Sequence, residues 1–118
     1  MAAEEFARAD TIRDRHEHIA AHHALNHRLA AANDAAIRQA DWLIGVLDGV
    51  DVDSGTAAEI GYAFALGKRI WGLRTDFRTT GDNAGSTVNL QVQYFIEASG
   101  GRIVTTIDDL IAALRENV

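Results

Sequence analysis

Four carboxylates fall within twelve residues of this sequence: Asp48, Asp51, Asp53 and Glu59. They lie in the stretch A-D-W-L-I-G-V-L-D-G-V-D-V-D-S-G-T-A-A-E-I-G-Y-A-F-A-L-G-K, from Ala40 to Lys68. Like charges this close, partly desolvated, push at least one pKa upward. Such a set can divide into an ionised nucleophile or base and a protonated acid. Glycosyl transfer asks for that pair. One carboxylate attacks the anomeric carbon, and another group handles the leaving group's proton.

Each residue also has a plainer reading. Thr56-Ala57-Ala58-Glu59 fits a capping box, in which Glu59 only bonds the cap's own N–H. Asp48-Gly49 fits simple turn chemistry. Asp53 or Ser54 fits a helix N-cap, and Asp51 a solvated loop carboxylate. Clustered carboxylates suit Mg²⁺ or Ca²⁺, but the spacing matches no known binding loop. Ser54-Gly55 at a helix N-terminus could bind phosphate. Neither G-x-x-x-x-G-K-[ST] nor G-x-G-x-x-G occurs, so no nucleotide cofactor is expected, and no metal.

The elements that position these residues are short. Trp42 to Leu47 is an apolar run that reads as a buried strand. Ser54-Gly55-Thr56 opens a helix that runs to Leu66. Between Thr56 and Leu66 its one charged residue is Glu59. A helix apolar on nearly every face is expected to be buried. Gly67 closes it at the C′ position. Arg69 to Leu73 reads as a second strand leading into Arg74–Arg78. Thr79 to Ser86 reads as a loop. Val88, Val92, Phe95 and Ile96 have helical spacing, predicting a helix over Thr87–Ala98 that ends at Ser99-Gly100-Gly101. Arg102 to Thr105 reads as a third strand. Asp108 to Glu116 reads as a terminal helix, capped by Thr106 or Asp108, with Leu110, Ile111 and Leu114 inward. Strands alternating with helices imply an α/β fold with a parallel sheet. Ligands then bind beyond the carboxyl ends of the strands. The turn Asp48–Thr56 and the segment Arg74–Arg78 both sit there.

Upstream, residues 3–32 read as one helix, rich in Ala, Arg, Glu and Leu and free of Gly and Pro. Asn33-Asp34 is expected to interrupt it and cap a short helix from Ala35 to Ala40. Five histidines cluster here: His16, His18, His22, His23 and His27. His18/His22 and His23/His27 are i,i+4 pairs on shared faces, a spacing that can hold a metal. The H-E-x-x-H order is not met and no third ligand is evident, so the expectation is a solvated helical face. The first 40 residues supply no strand. Trp42–Leu47 is then an apolar edge, a feature folds avoid. Helix 3–32, another subunit or a strand upstream would have to cover it.

At 118 residues the chain is expected to form a single domain, residues 1–118. Its net charge of −6 argues against nucleic acid as a partner, since phosphate binding needs a basic stripe. It also argues against an anionic membrane surface. No apolar run is long enough to span a bilayer. The acidic N-terminus is unlike a signal peptide, and with no cysteine there is no disulfide framework. A cytoplasmic protein is expected.

The stretch Ala40–Lys68 resembles the nucleoside 2-deoxyribosyltransferase family. The segments G-L-R-T-D-F-R, V-N-L at Val88–Leu90 and E-A-S-G-G at Glu97–Gly101 are similar to that family too. The resemblance covers roughly Asp34 to the C-terminus, so residues 33–118 read as the family's core and residues 1–32 as a helical segment with no counterpart in it. It implies a flavodoxin-like (Rossmann-like) α/β domain, acting as a homo-oligomer with sites completed between subunits. It implies deoxynucleoside and free nucleobase as substrates. The motif glutamate, here Glu59, would attack C1′ and form a covalent deoxyribosyl-enzyme, with configuration retained after a second base attacks. Asp48 resembles the residue that contacts the base and helps its proton move. Asp53 resembles the one that holds deoxyribose hydroxyls, with Ser54 and Gly55 beside it, and Asn89 the one that reaches the sugar from a neighbouring subunit. Family members usually begin with a strand bearing an aromatic residue and a Gly-Pro turn. This chain shows no such strand and contains no proline. Two other activities fit the same residues. One is an N-glycosidase acting on a nucleoside or nucleoside 5′-monophosphate, with Ser54, Ser86 and Arg74 as candidate phosphate contacts. The other is a catalytically silent nucleoside-binding scaffold.

Overall fold

The computed structural model describes residues 2–117. The chain separates into two compact units, residues 1–39 and residues 40–118.

The first unit is two packed helices, α1 (Ala2–Asp10) and α2 (Arg15–Gln39). The single helix expected over 3–32 is therefore broken, at Thr11–Asp14. The cause is local. Thr11 Oγ1 donates to the Arg8 carbonyl (2.7 Å), which ends α1. Asp14 Oδ1 accepts from the Glu17 N–H (2.9 Å), which starts α2 as an N-cap. Asn33-Asp34 does not interrupt α2. Asp34 accepts from Arg38 Nε one turn on (2.9 Å), so its carboxylate supports the helix. The helices run antiparallel, tied by Arg28–Glu5 (2.9 Å) and by His22–Asp10 (2.7 Å). The His18 carbonyl at Nδ1, and then the Asp10 carboxylate at Nε2, hold the His22 pKa above its usual value.

The second unit comprises β1 (Trp42–Val46), α3 (Ser54–Ala65), β2 (Arg69–Leu73), α4 (Leu90–Ala98), β3 (Ile103–Val104) and α5 (Ile107–Arg115). The sheet is wholly parallel in the order β1-β2-β3. Trp42 pairs with Arg69 through to Val46 with Leu73, and Gly72 and Leu73 pair with Ile103 and Val104. Successive side chains point to opposite faces. On one face α3 and α4 lie over the glycines at registered positions 45 and 72. A Cβ on Gly72 would stand 2.5 Å from Leu47 Cδ1 and 3.1 Å from Ile96 Cδ1. That space is needed for the helices to reach the sheet. On the other face, Leu110 and Ala113 of α5 pack against Trp71 and Val104. Trp42 meets Trp71 edge-on at 5.2 Å. This is the flavodoxin-like α/β arrangement with a helical N-terminal segment.

Several details differ from the expectation. Only Ile60 and Ala63 of α3 are fully buried, and Leu66 beyond its end is 37% exposed. A helix on the rim of a three-stranded sheet has one covered face, whatever its composition. Val88 is buried ahead of α4, which starts at Leu90 and not at Thr87. In α5, Ala113 takes the inward place expected of Ile111, which is 41% exposed. Thr106 is its cap, accepting from the Asp109 N–H (3.0 Å). Gly67 does close α3: its φ is 77°, and Lys68 N–H reaches the Ala63 carbonyl (2.9 Å). Among the described residues β1 pairs only with β2, leaving its other edge unpaired. Ile44 and Val46 on this strand are 45% and 58% exposed.

The three strand ends meet at Arg74. Its N–H donates to the Val104 carbonyl (2.9 Å), extending the β2–β3 ladder. Its guanidinium is buried, with 1% of the residue exposed. Nη1 donates to the Leu47 carbonyl (2.6 Å) and Nη2 to that of Gly49 (3.1 Å). Nε and Nη2 both donate to the Arg78 carbonyl (3.1 and 2.7 Å). Arg74 is thus committed to backbone and does not serve as a phosphate contact. Replacing it with Met strands three carbonyls without donors. The expected loss is about 3 kcal/mol of unfolding free energy in urea titrations. Arg74→Lys should recover little of it, because an ammonium lacks the planar fork. A loss well under 1 kcal/mol in either variant would show that the clamp does not hold these loops.

Candidate active site

The start of α3 decides what Glu59 can do. Asp53 is the N-cap: its Oδ2 accepts from the Thr56 N–H (3.1 Å) and from Thr56 Oγ1 (3.4 Å). Thr56 is therefore the third residue inside the helix, and Glu59 lies nearly a turn beyond the capping-box position. The capping reading of Glu59 is excluded. Glu59 is half-buried, and its carboxylate makes no hydrogen bond or ion pair among the described residues. Thr56 and Ile60 face β1: a Cβ on Gly45 would lie 3.1 Å from Ile60 Cδ1 and 3.6 Å from Thr56 Cγ2. Phe64 faces α4, stacking on Phe95 at 4.9 Å. With 3.6 residues per turn, Glu59 then falls on the flank away from α4. That flank looks toward the unpaired edge of β1.

Asp48 follows β1 at its carboxyl end. Its Oδ1 accepts from the N–H groups of Thr75 (2.7 Å) and Asp76 (3.1 Å), and its Oδ2 from Thr75 Oγ1 (2.6 Å). The Thr75 hydroxyl, then the Asp76 N–H, with the Arg74 charge behind them, hold its pKa below the usual carboxylate value. The crowding expected to raise a carboxylate in this cluster does not raise Asp48. Donors from the β2 loop face it more closely than other carboxylates do. Asp76 is held low as well, by the Arg78 guanidinium forked across it. Asp48, Thr75, Asp76, Phe77 and Arg78 line an open hollow of about 560 Å³. Phe77 projects from it, 94% exposed.

The remaining residues are spread around these two centres. Ser54 and Gly55 are exposed at the first two positions of α3, and Asp51 is exposed in the preceding turn. Asn89 caps α4, its Oδ1 accepting from Gln91 N–H (2.9 Å) and Val92 N–H (3.2 Å). This leaves its NH₂ group for another partner. Ser86 is occupied locally, its hydroxyl donating to the Asn83 carbonyl (3.4 Å). The lining of the Asp48 hollow includes neither Glu59, Asp53 nor Asn89. Thr75 and Phe77 had no assigned role in the sequence. The signals were a hydroxyl just past a strand end and a large aromatic between two charged residues.

The Asp48 contacts set a pH dependence. Its folded pKa is lowered, so its stabilisation is full above the unfolded value of about 3.9 and is lost as pH falls through the folded value. An Asp48→Asn variant should melt below wild type at pH 7. The gap should narrow as the pH is taken below about 3.9. Thermal unfolding followed by circular dichroism across pH 2–7 tests this, and a gap that widens in acid would refute it.

The sequence profile of the nucleoside 2-deoxyribosyltransferase family matches residues 3–91. The match begins within the helical segment and ends short of E-A-S-G-G. Among solved structures the chain is similar to one described as a conserved protein from Enterococcus faecalis V583. The TM-score is 0.65 at 29% sequence identity, covering 76% of this chain and 65% of that one. The chain thus spans just under two thirds of that relative. No curated protein matches it. A profile match over most of the chain, on this fold and this motif, shows that the chain belongs to the nucleoside 2-deoxyribosyltransferase family.

Proposed function

We propose that this protein transfers 2-deoxyribose between nucleobases through a covalent intermediate on Glu59. Family membership supports the reaction class. The observation that carries the residue is the cap: Asp53 satisfies the start of α3, which leaves Glu59 half-buried and without a partner. A Glu59 carboxylate oxygen forms a bond to C1′ as the C1′–N bond breaks; the electron pair goes to the departing base, which takes its proton from solvent. A second base then attacks C1′ through nitrogen. The ester bond to Glu59 breaks, and the incoming base gives up its proton. Two inversions leave the configuration retained.

The other residues take supporting roles. Asp48, held low by Thr75 and Asp76, is suited to accept a hydrogen bond from a base N–H and unsuited to donate a proton. The exposed ring of Phe77 beside it offers a flat surface to a base. Asp53 keeps one oxygen outside its cap for a deoxyribose hydroxyl, next to Ser54 and Gly55. The Asn89 NH₂ group serves the sugar of a neighbouring subunit, in a homo-oligomer that closes the site over the flank bearing Glu59. Exposure of Asp48 favours water as a competing acceptor, which would release free base.

The test is base exchange. The assembled protein, given a deoxynucleoside and a second free base, should yield the exchanged nucleoside. Glu59→Gln and Glu59→Ala should lower the rate by roughly a thousandfold or more. Their melting temperatures should stay near wild type, since no partner is lost. A folded oligomer that gives no exchange, or variants that keep the wild-type rate, would overturn the proposal. Base release without an acceptor would identify a hydrolase.

A further inference from the structure

The histidines of α2 have a partner that lies outside their own helix. His18 and His22 stand one turn apart, with ring centroids 4.3 Å from each other. Asp10, at the end of α1, meets His22 Nε2 through Oδ1 at 2.7 Å. One ligand atom from each of Asp10, His18 and His22 lies within 4.8 Å of the other two. Both histidines have Nδ1 occupied by a backbone carbonyl: that of Ile12 for His18 (3.2 Å) and that of His18 for His22 (2.9 Å). Such a bond puts a proton on Nδ1 and leaves Nε2 as the nitrogen that can meet a metal; on His22 that Nε2 donates to Asp10, so a metal has to displace its proton. A carbonyl on Nδ1 is the kind of contact that metal-ligating imidazoles make through their second nitrogen.

We infer that Asp10, His18 and His22 form a site for a first-row divalent transition metal, with zinc as its natural occupant, that clamps α1 onto α2. Two imidazoles and a carboxylate suit this class of ion, and they leave a fourth position for water. On binding, the Nε2 lone pairs go to the metal, and any proton on His22 Nε2 goes to solvent. The Asp10–His22 contact opens slightly to admit the ion between them. Cross-linking two helices joined by only four residues, Thr11–Asp14, adds stability to the folded hairpin by mass action. The second i,i+4 pair, His23 and His27, has rings 4.5 Å apart and no comparable third ligand among the described residues. It serves as an internal control.

The experiment uses the full chain, stripped of metal, at pH 7.5. Titration with Co²⁺ should give visible d–d absorption at one equivalent, and Zn²⁺ should displace it. Saturating Zn²⁺ should raise the melting temperature read at 222 nm. Asp10→Ala, His18→Ala and His22→Ala should each weaken Co²⁺ binding by roughly a hundredfold. His23→Ala with His27→Ala should leave it unchanged. Helicity of each variant at 222 nm confirms that α2 is formed. Absence of the Co²⁺ bands would overturn the inference. So would binding that survives loss of Asp10, or that is lost with His23 and His27.

Discussion

The buried guanidinium of Arg74 is the constraint on which the site depends. A parallel sheet ends with carbonyls and turns pointing the same way, and each connection leaves that end independently. Arg74 joins two of them. Its fork reaches the end of β1 through Leu47 and Gly49 and the β2 loop through Arg78, while its own N–H continues the ladder to β3. An arginine is suited to this because its planar donors diverge toward several acceptors at once. Neutral carbonyls are weaker partners than a carboxylate, but Asp48 and Asp76 lie close enough to supply charge. That same charge contributes to holding both carboxylates low.

Two centres follow from this frame. Asp48 is held in an ionised state by the loop that Arg74 folds back against it. Glu59 is held apart on α3, where a cap six residues upstream leaves it without a partner. The first centre is already supplied with hydrogen-bond donors, and the second is the carboxylate that the proposed reaction uses as its nucleophile. Carboxylates that are near in sequence thus have different surroundings: donors close on Asp48, while Glu59 has no hydrogen-bond partner among the described residues. Both lie around the carboxyl end of β1, whose outer edge is unpaired among the described residues. Ile44 and Val46 are exposed on this strand, an apolar display that a lone domain seldom keeps.

The helical segment has a logic of its own. Its apolar residues are sparse, so polar contacts carry more of the pairing between α1 and α2 than in a packed bundle. Arg28–Glu5 and His22–Asp10 cross between the helices. Exposed pairs of this kind contribute little each. A hairpin held by them is one whose stability an added ligand can shift appreciably.

Much of the fold was legible in residues alone. The bounds of β2, the closure of α3 at Gly67 and the order of elements all follow from apolar runs and their punctuation. These are local signals, because a strand needs continuous apolar residues and a helix end needs φ above zero. The carboxylate cluster was legible for the same reason. What the chain could not show locally was which of several adequate groups wins. Asp53, Ser54 and Thr56 are all able to cap, and in the fold it is Asp53 that does so, which removes Glu59 from the cap. Crowded aspartates imply a raised pKa until the fold brings Thr75 and Asp76 to Asp48, about thirty residues on, and reverses the sign. Arg74 reads as a surface cation until three strand ends close around it. Asp10 has no visible link to His22, twelve residues away, until the break at Thr11–Asp14 turns one helix back upon the other. Sequence determined the elements and their chemical inventory. Tertiary structure alone decided the pairings, because pairing depends on distances that the chain acquires only once it is folded.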